Sequence, residues 1–158
     1  MKKNILKLFL LLTFTAMISQ KIHSQEIDVV NRSGSLIVLP TFNNIMLAFT
    51  DENFVYNIMS KYNYSQKEGF LVARSDDYYA IKTSSNKLLF RCLPIDKVFF
   101  ALALKDYQRY VSPSPEEYED EDGVTYVFER KTNGMILSIT LIINKLGGDI
   151  FVTINKDI

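Results

Sequence analysis

The chain has 158 residues, with 18 basic and 18 acidic side chains, one histidine, one cysteine, no tryptophan and 47% apolar residues. That is enough material for one domain with its own hydrophobic core. The composition excludes an internal disulfide, and it lacks the basic excess with which proteins neutralise nucleic-acid phosphates.

The first residues read MKKNILKLFLLLTFTAMISQKIHSQ, with Lys2, Lys3 and Lys7 ahead of an apolar run from Leu8 to Ile18 and small or polar residues after it. This is the layout of a secretory signal, and the run is shorter than the roughly 20 residues that span a bilayer. Cleavage is expected after Ser24, with Ser19 and Gln20 as further candidates. That leaves a single domain over 25–158, exported to the periplasm or beyond, with no stable membrane insertion. No cysteine lies in the segment to carry a lipid. Losing Lys2, Lys3, Lys7 and Lys21 leaves 14 basic against 18 acidic residues, a net charge of −4, which favours neither nucleic acid nor an anionic membrane. The same cut removes His23, so no Ser-His or Cys-His pair and no histidine-rich zinc site can form.

Past the signal, EIDVV and SLIVL flank the turn cluster NRSG and predict a hairpin ended by Pro40. TFNNIMLAF reads either as a short helix capped by Thr41 or as another extended run. In TDENFVYNIMSKY the residues Phe54, Val55, Ile58, Met59 and Tyr62 follow helical spacing. Asp51 and Glu52 fall in its first turn and Lys61 in its last, predicting a helix over 51–63. From Gly69 the period changes. FLVARS, YYAIKT and KLLFRCL, separated by DD and SSN, predict an antiparallel meander. Alternation puts Leu88, Phe90 and Cys92 on one face and Arg91 on the other, which assigns the Cys92 thiol to the core.

LPIDKVFFALALKDYQRYV predicts a second helix ending near Tyr110, with Asp96 as its cap and Ile95 and Phe100 as a hydrophobic staple. The alternation of Val98, Phe100, Leu102 and Leu104 leaves a strand as the alternative over 97–110. Next comes SPSPEEYEDEDG, Ser112 to Gly123, read as a long acidic connection. VTYVFERK, MILSITLII and DIFVTIN then form a second meander. In its middle run Met135, Leu137, Ile139, Leu141 and Ile143 face one way and Ser138 and Thr140 the other.

The order helix, tyrosine-containing connection and three strands occurs twice, over 50–94 and 95–155. The fold class that follows is α+β: an antiparallel meander with two helices on one face, either a tandem αβββ duplication or an unrepeated meander. In architecture this order of elements resembles the secreted β-lactamase-inhibitor fold and related small outer-membrane assembly domains. The resemblance implies a sheet with helices on one face and transfers no site residue.

Two groups of side chains are candidates for function. Set against a calcium loop with Gly123 at its sixth position, Asp120 and Asp122 fall at positions three and five and Glu129 at twelve, but Tyr118 stands where an aspartate is required. A looser cation site would use Glu119, Asp120 and Asp122. A hydrated, solubilising connection is the plainer reading. Tyr107, Tyr110 and Tyr118 interleave with these acids, and Tyr62, Tyr64, Tyr78 and Tyr79 hold the corresponding positions of the first half. If both groups project from one end of the sheet they form an aromatic face rimmed by acids, suited to a protein partner; otherwise the rings pack over the sheet edge. The acid pairs Asp76–Asp77 and Glu116–Glu117 fall in expected turns, where little burial exists to tune them for catalysis. The expectation is a non-enzymatic exported binding protein of inhibitor, immunity or envelope accessory type, with no cofactor. A small-ligand or cation-binding module using residues 116–123, with calcium as its ion, is the alternative. A histidine-free hydrolase is the third reading.

Overall fold

A computed structural model describes residues 26–32, 34–73, 76–93 and 96–156, with the side chains of 76–78 outside that description. The signal-like segment and the Ile95 staple lie outside the described residues. The elements in chain order are β1 (Val29–Arg32), β2 (Ser35–Val38), α1 (Phe42–Thr50), α2 (Phe54–Lys61), β3 (Tyr64–Lys67), β4 (Phe70–Ala73), β5 (Asp76–Thr83), β6 (Lys87–Cys92), α3 (Lys97–Tyr110), β7 (Glu116–Glu119), β8 (Gly123–Thr132), β9 (Met135–Asn144) and β10 (Gly148–Lys156).

The ambiguous TFNNIMLAF is the helix α1. The Thr41 hydroxyl accepts the Asn44 amide, and the backbone N–H of Asp51 closes the far end on the Leu47 carbonyl. This shortens the next helix relative to expectation. Asp51 caps α1 and its carboxylate accepts the Asn53 amide, so Asp51 and Glu52 lie in the link and α2 starts only at Phe54. The alternation over 97–110 belongs to a helix. Asp96 accepts the amides of Val98 and Phe99, and Phe99, Phe100, Ala103 and Tyr107 form the buried stripe, while Val98 and Leu102 stay exposed. A capping carboxylate and a stripe of helical period outweigh a two-residue alternation that only half of its members obey.

Strands β1 and β2 form the expected hairpin. The other eight make one antiparallel sheet in the order β3-β4-β5-β6-β10-β9-β8-β7. Exchanging β3–β6 with β7–β10 leaves that order unchanged, so the chain consists of two similarly ordered halves, each a helix followed by four strands. The repeat is αββββ rather than αβββ, because both tyrosine-containing connections hold a further strand, β3 and β7, which pair with β4 and β8 at the two edges. The β3–β4 and β8–β9 loops, which are not equivalent positions of the repeat, share one turn geometry. Glu68-Gly69 and Asn133-Gly134 all have positive φ, the geometry of a two-residue hairpin turn whose twist suits antiparallel strands. Strands β6 and β10 pair antiparallel at the centre, so equivalent points of the two halves fall at opposite ends of the sheet.

All three helices and the β1–β2 hairpin pack on one face. Leu88, Phe90 and Cys92 of β6, Ile139 and Leu141 of β9, and Ile150 and Val152 of β10 share one buried cluster with Ile37, Ile45, Phe54, Ile58, Phe100 and Tyr107. Three helices cover this face, one more than expected, and the Cys92 thiol is in the core. Close approach of α3 depends on Gly148. A Cβ there would lie 2.5 Å from Phe100 Cζ and 2.6 Å from the Ile142 carbonyl oxygen. The preceding NKLGG is a turn, with the Asn144 side chain accepting the amides of Leu146 and Gly147.

Candidate functional site

The seven tyrosines do not form one face. Tyr64 and Tyr107 are fully buried. The Tyr64 hydroxyl accepts the Val38 amide at 3.0 Å, and the Tyr107 hydroxyl donates to the Pro40 carbonyl, with its ring edge-on to Phe128. Both clamp the N-terminal segment to the core. Tyr79 is also buried and donates to Asp96 at 2.7 Å, and Tyr62 packs against the core cluster. Burial takes the Tyr64, Tyr79 and Tyr107 rings off any contact surface, because a hydroxyl satisfied inside the protein has nothing to offer outside it, while Tyr62 is half-buried. Tyr78 lies in β5 by its backbone. Tyr110 is partly exposed, stacked on Phe42 at 5.7 Å, and Tyr118 is 58% exposed with its hydroxyl on Glu116. Tyr118 shares a cross-strand row with Ala80, next to Tyr79 of the other group, whereas Tyr110 meets Arg130 near the far end of β8, so the second group is itself divided between the two ends of the sheet.

SPSPEEYEDEDG is a hairpin rather than a long loop. Residues 116–119 are the edge strand β7, exposed at every position, and Asp120 forms the turn by accepting the amides of Asp122 and Gly123. Adjacent charges on an outer strand discourage edge-to-edge pairing with other chains. The calcium pattern fails geometrically. Glu119 pairs with Val124 and Glu129 with Ser138, on opposite faces of the sheet, and Glu129 lies six residues up β8 from Gly123, roughly 20 Å away. Lys97 and Lys145 border the same turn as Asp120 and Asp122. Among the described residues no three metal-ligating side chains converge.

Asp96 is the most elaborated polar centre. Its carboxylate caps α3, accepts the Tyr79 hydroxyl and pairs with the Arg32 guanidinium at 3.1 Å. Burial pushes its pKa up, but the Tyr79 hydroxyl, the Phe99 amide, Arg32 and the Val98 amide together hold it below the ordinary range. Burial, followed by the hydrogen bond to Asp96, pushes Tyr79 far above the usual phenol value. Every partner of this centre is internal to the fold: it joins the β1–β2 hairpin, β5 and α3.

The uncovered face of the sheet has a different character. Its cross-strand neighbours form two rows: Tyr118, Thr125, Ile142, Asp149, Arg91, Ala80 and, nearer the middle of the long strands, Glu116, Val127, Thr140, Phe151, Leu89, Lys82. Arg91 grips Asp149 with both Nε (2.8 Å) and Nη2 (2.9 Å), and that bond raises the guanidinium pKa against the opposing effect of burial. Lys82 Nζ and Arg91 Cζ lie 5.3 and 5.6 Å from the centre of the Phe70 ring, within cation–π range. Phe151 is 41% exposed beside half-buried Leu89. An antiparallel sheet with one wet face normally alternates apolar and polar residues, whereas strands covered on both faces are apolar throughout. The central strands KLLFRC, MILSITLII and GDIFVTI tend to the second pattern, yet the described chain covers only one face. That two-sided apolarity was the available sequence signal for this surface; it is overlooked when each strand is scored only for its inward residues.

The chain matches no family model, no curated protein and no solved structure. The resemblance to the β-lactamase-inhibitor fold therefore rests on the order of elements alone. Among the described residues no helix is long and apolar enough to cross a membrane.

Proposed function

We propose that this is an exported, non-enzymatic binding protein that recognises a protein partner through the uncovered face of its sheet. The observation that carries the reading is the apolar content of that face across the central strands. Leu89, Phe151, Ile142 and Val127 are flanked by the Arg91–Asp149 pair, Lys82 and the edge residue Tyr118. Apolar and aromatic residues with an arginine at the centre and charges at the rim is the composition of a protein-recognition surface. Of the picked-out tyrosines whose side chains are described, Tyr118 is the one on this face, and it stays in the proposal. Export follows from the signal-like layout of residues 1–24.

The test is partner capture from an envelope extract by the wild-type chain, compared with Phe151→Asp and Tyr118→Ala. Both positions are exposed, so both variants are expected to retain the wild-type circular dichroism spectrum. Phe151→Asp, at the centre, is expected to reduce recovery about tenfold or more, and Tyr118→Ala, at the rim, a few-fold. Equal recovery by all three proteins would reject the face.

A further inference from the structure

On the covered side of the sheet, an apolar groove of about 430 Å³ runs between Phe42 and Met46 of α1 and the strand residues Thr132, Met135, Leu137 and Ile154. Phe42 and Met46 also wall a second hollow of about 340 Å³ that holds Asp28, Asp106 and Tyr110. The two hollows adjoin at Phe42 and Met46, which line both, and make the apolar and the acidic part of the groove. Asp28 Oδ2 accepts the Thr41 hydroxyl and the Asn43 amide, and Asp106 Oδ2 accepts the Phe42 backbone N–H. Among the described residues, neither carboxylate has a lysine or arginine within ion-pair distance, and neither Oδ1 has a hydrogen-bond donor. Arg130, which lines the apolar hollow, donates to the Tyr110 carbonyl at 2.6 Å, and Arg109 lies 5.0 Å over the Tyr110 ring.

The symmetry of the strand order indicates what such a groove accepts. In the first half, the end of β4, the start of β5 and the end of β6 are covered by the β1–β2 hairpin. Its Ile37 and Val38 are buried in the core, Val38 donates to Tyr64 at the start of β3, β2 packs on β4, and Arg32 pairs with Asp96 just past β6. The equivalent places in the second half are the end of β8, the start of β9 and the end of β10, where Thr132, Met135, Leu137 and Ile154 lie. Among the described residues no segment corresponding to the hairpin lies there: α1 reaches over them with Phe42 and Met46, Leu137 is buried, and Met135 is 46% exposed. The hairpin thus shows, on the matching site, an extended segment that offers aliphatic side chains and one cation to a carboxylate.

We propose that the groove binds an extended peptide segment of a partner protein carrying aliphatic side chains beside a lysine or arginine. The aliphatic groups fill the end formed by Met46, Met135, Leu137 and Ile154. The cation sits against the open oxygens of Asp28 and Asp106, where carboxylates without a counter-charge attract it. This site lies on the opposite side of the sheet from the proposed recognition face and does not depend on that reading.

The groove carries its own reporters. With the methionine ε-methyls of the full chain 13C-labelled, Met46 and Met135 report from the groove, and Met59, on α2 and outside it, serves as control. Titration with a terminally blocked hexapeptide of alternating valine and lysine is expected to shift Met46 and Met135 together and leave Met59 in place. Asp28→Asn and Asp106→Asn are each expected to weaken binding about fivefold, the size of one partly exposed ion pair. Asp106→Asn also perturbs the start of α1, so Asp28→Asn and Met135→Glu are read beside it, and Met135→Glu is expected to abolish the shifts. The proposal is overturned if the groove methyls stay still at millimolar peptide, or if a valine–glutamate hexapeptide moves them equally. It is also overturned if nuclear Overhauser contacts place residues 1–25 or a second copy of the chain in the groove.

Discussion

Replacing Tyr107 with phenylalanine separates a structural tyrosine from a binding one. The ring is fully buried, edge-on to Phe128 with centroids 5.5 Å apart, and the hydroxyl donates to the Pro40 carbonyl. Burial and the nearby Asp106 raise its pKa well above the ordinary phenol value, so the donor proton is present throughout the working pH range. Tyr107→Phe keeps the ring and its apolar contacts and removes only the donor, leaving a buried carbonyl unpaired. Losing a neutral hydrogen bond costs about 0.5–1.5 kcal/mol and stranding a buried acceptor about 1–3 kcal/mol, which places the expected loss near 2 kcal/mol. For a domain of this size that lowers the melting temperature by roughly 5–10 °C. The assay is urea denaturation followed by circular dichroism, with an unchanged m-value showing that the transition stays comparable. Tyr118→Phe is the matched control. Its ring is largely in solvent and its hydroxyl meets only Glu116, so its stability is expected within about 0.5 kcal/mol of wild type. An unchanged urea midpoint in Tyr107→Phe would refute the clamp, as would a variant that keeps its stability and loses its partner.

Two further substitutions probe the same framework. Asp96 has a folded pKa below its unfolded value, so the unfolded chain takes up the proton first. Its contribution is therefore complete above about pH 4 and is lost as pH falls through the lower folded value. Asp96→Asn, which can still cap α3, is expected to flatten the stability profile below about pH 4 in thermal melts; profiles that remain parallel would remove Asp96 from the acid response. Gly148→Ala is expected to cost about 1–3 kcal/mol through overpacking, because the new methyl meets both the Phe100 ring and a backbone oxygen. A melting temperature equal to wild type would show that α3 can move away without penalty.

Local chemistry made much of the fold legible. Asp96 marked a helix start, and Thr41 offered one of two readings of its segment, because a side-chain oxygen satisfies amides that a helix beginning leaves unpaired. Leu88, Phe90 and Cys92 marked an inward strand face because strand side chains alternate. The turns at Asn133-Gly134 and NKLGG were readable from residues that suit tight backbone geometry. The site was less legible. Tyr64 looks like a surface residue in a polar connection and Tyr107 like one on the charged last turns of a helix, and only the return of the N-terminal segment over the sheet supplies the Val38 amide and the Pro40 carbonyl that pair with their hydroxyls. Likewise, the acids of residues 116–122 read as a loop because charge density hides strand propensity. Pairing with β8 makes four of those residues an edge strand, since an outer strand needs only one neighbour and can leave every side chain in water.

What the sequence determined by itself is therefore the α+β class and the order and inward residues of most elements, set by interactions within a few residues; it left α1 and the repeat open and did not show β3 and β7. Tertiary structure decided the pairing of β6 with β10, which places the halves head to tail. It also decided which face of the sheet stays uncovered and where the acidic groove opens. Those features depend on contacts between residues far apart in the chain, such as Tyr107 with Pro40, 67 positions away, and no local pattern records which distant segment will arrive to cover a given surface.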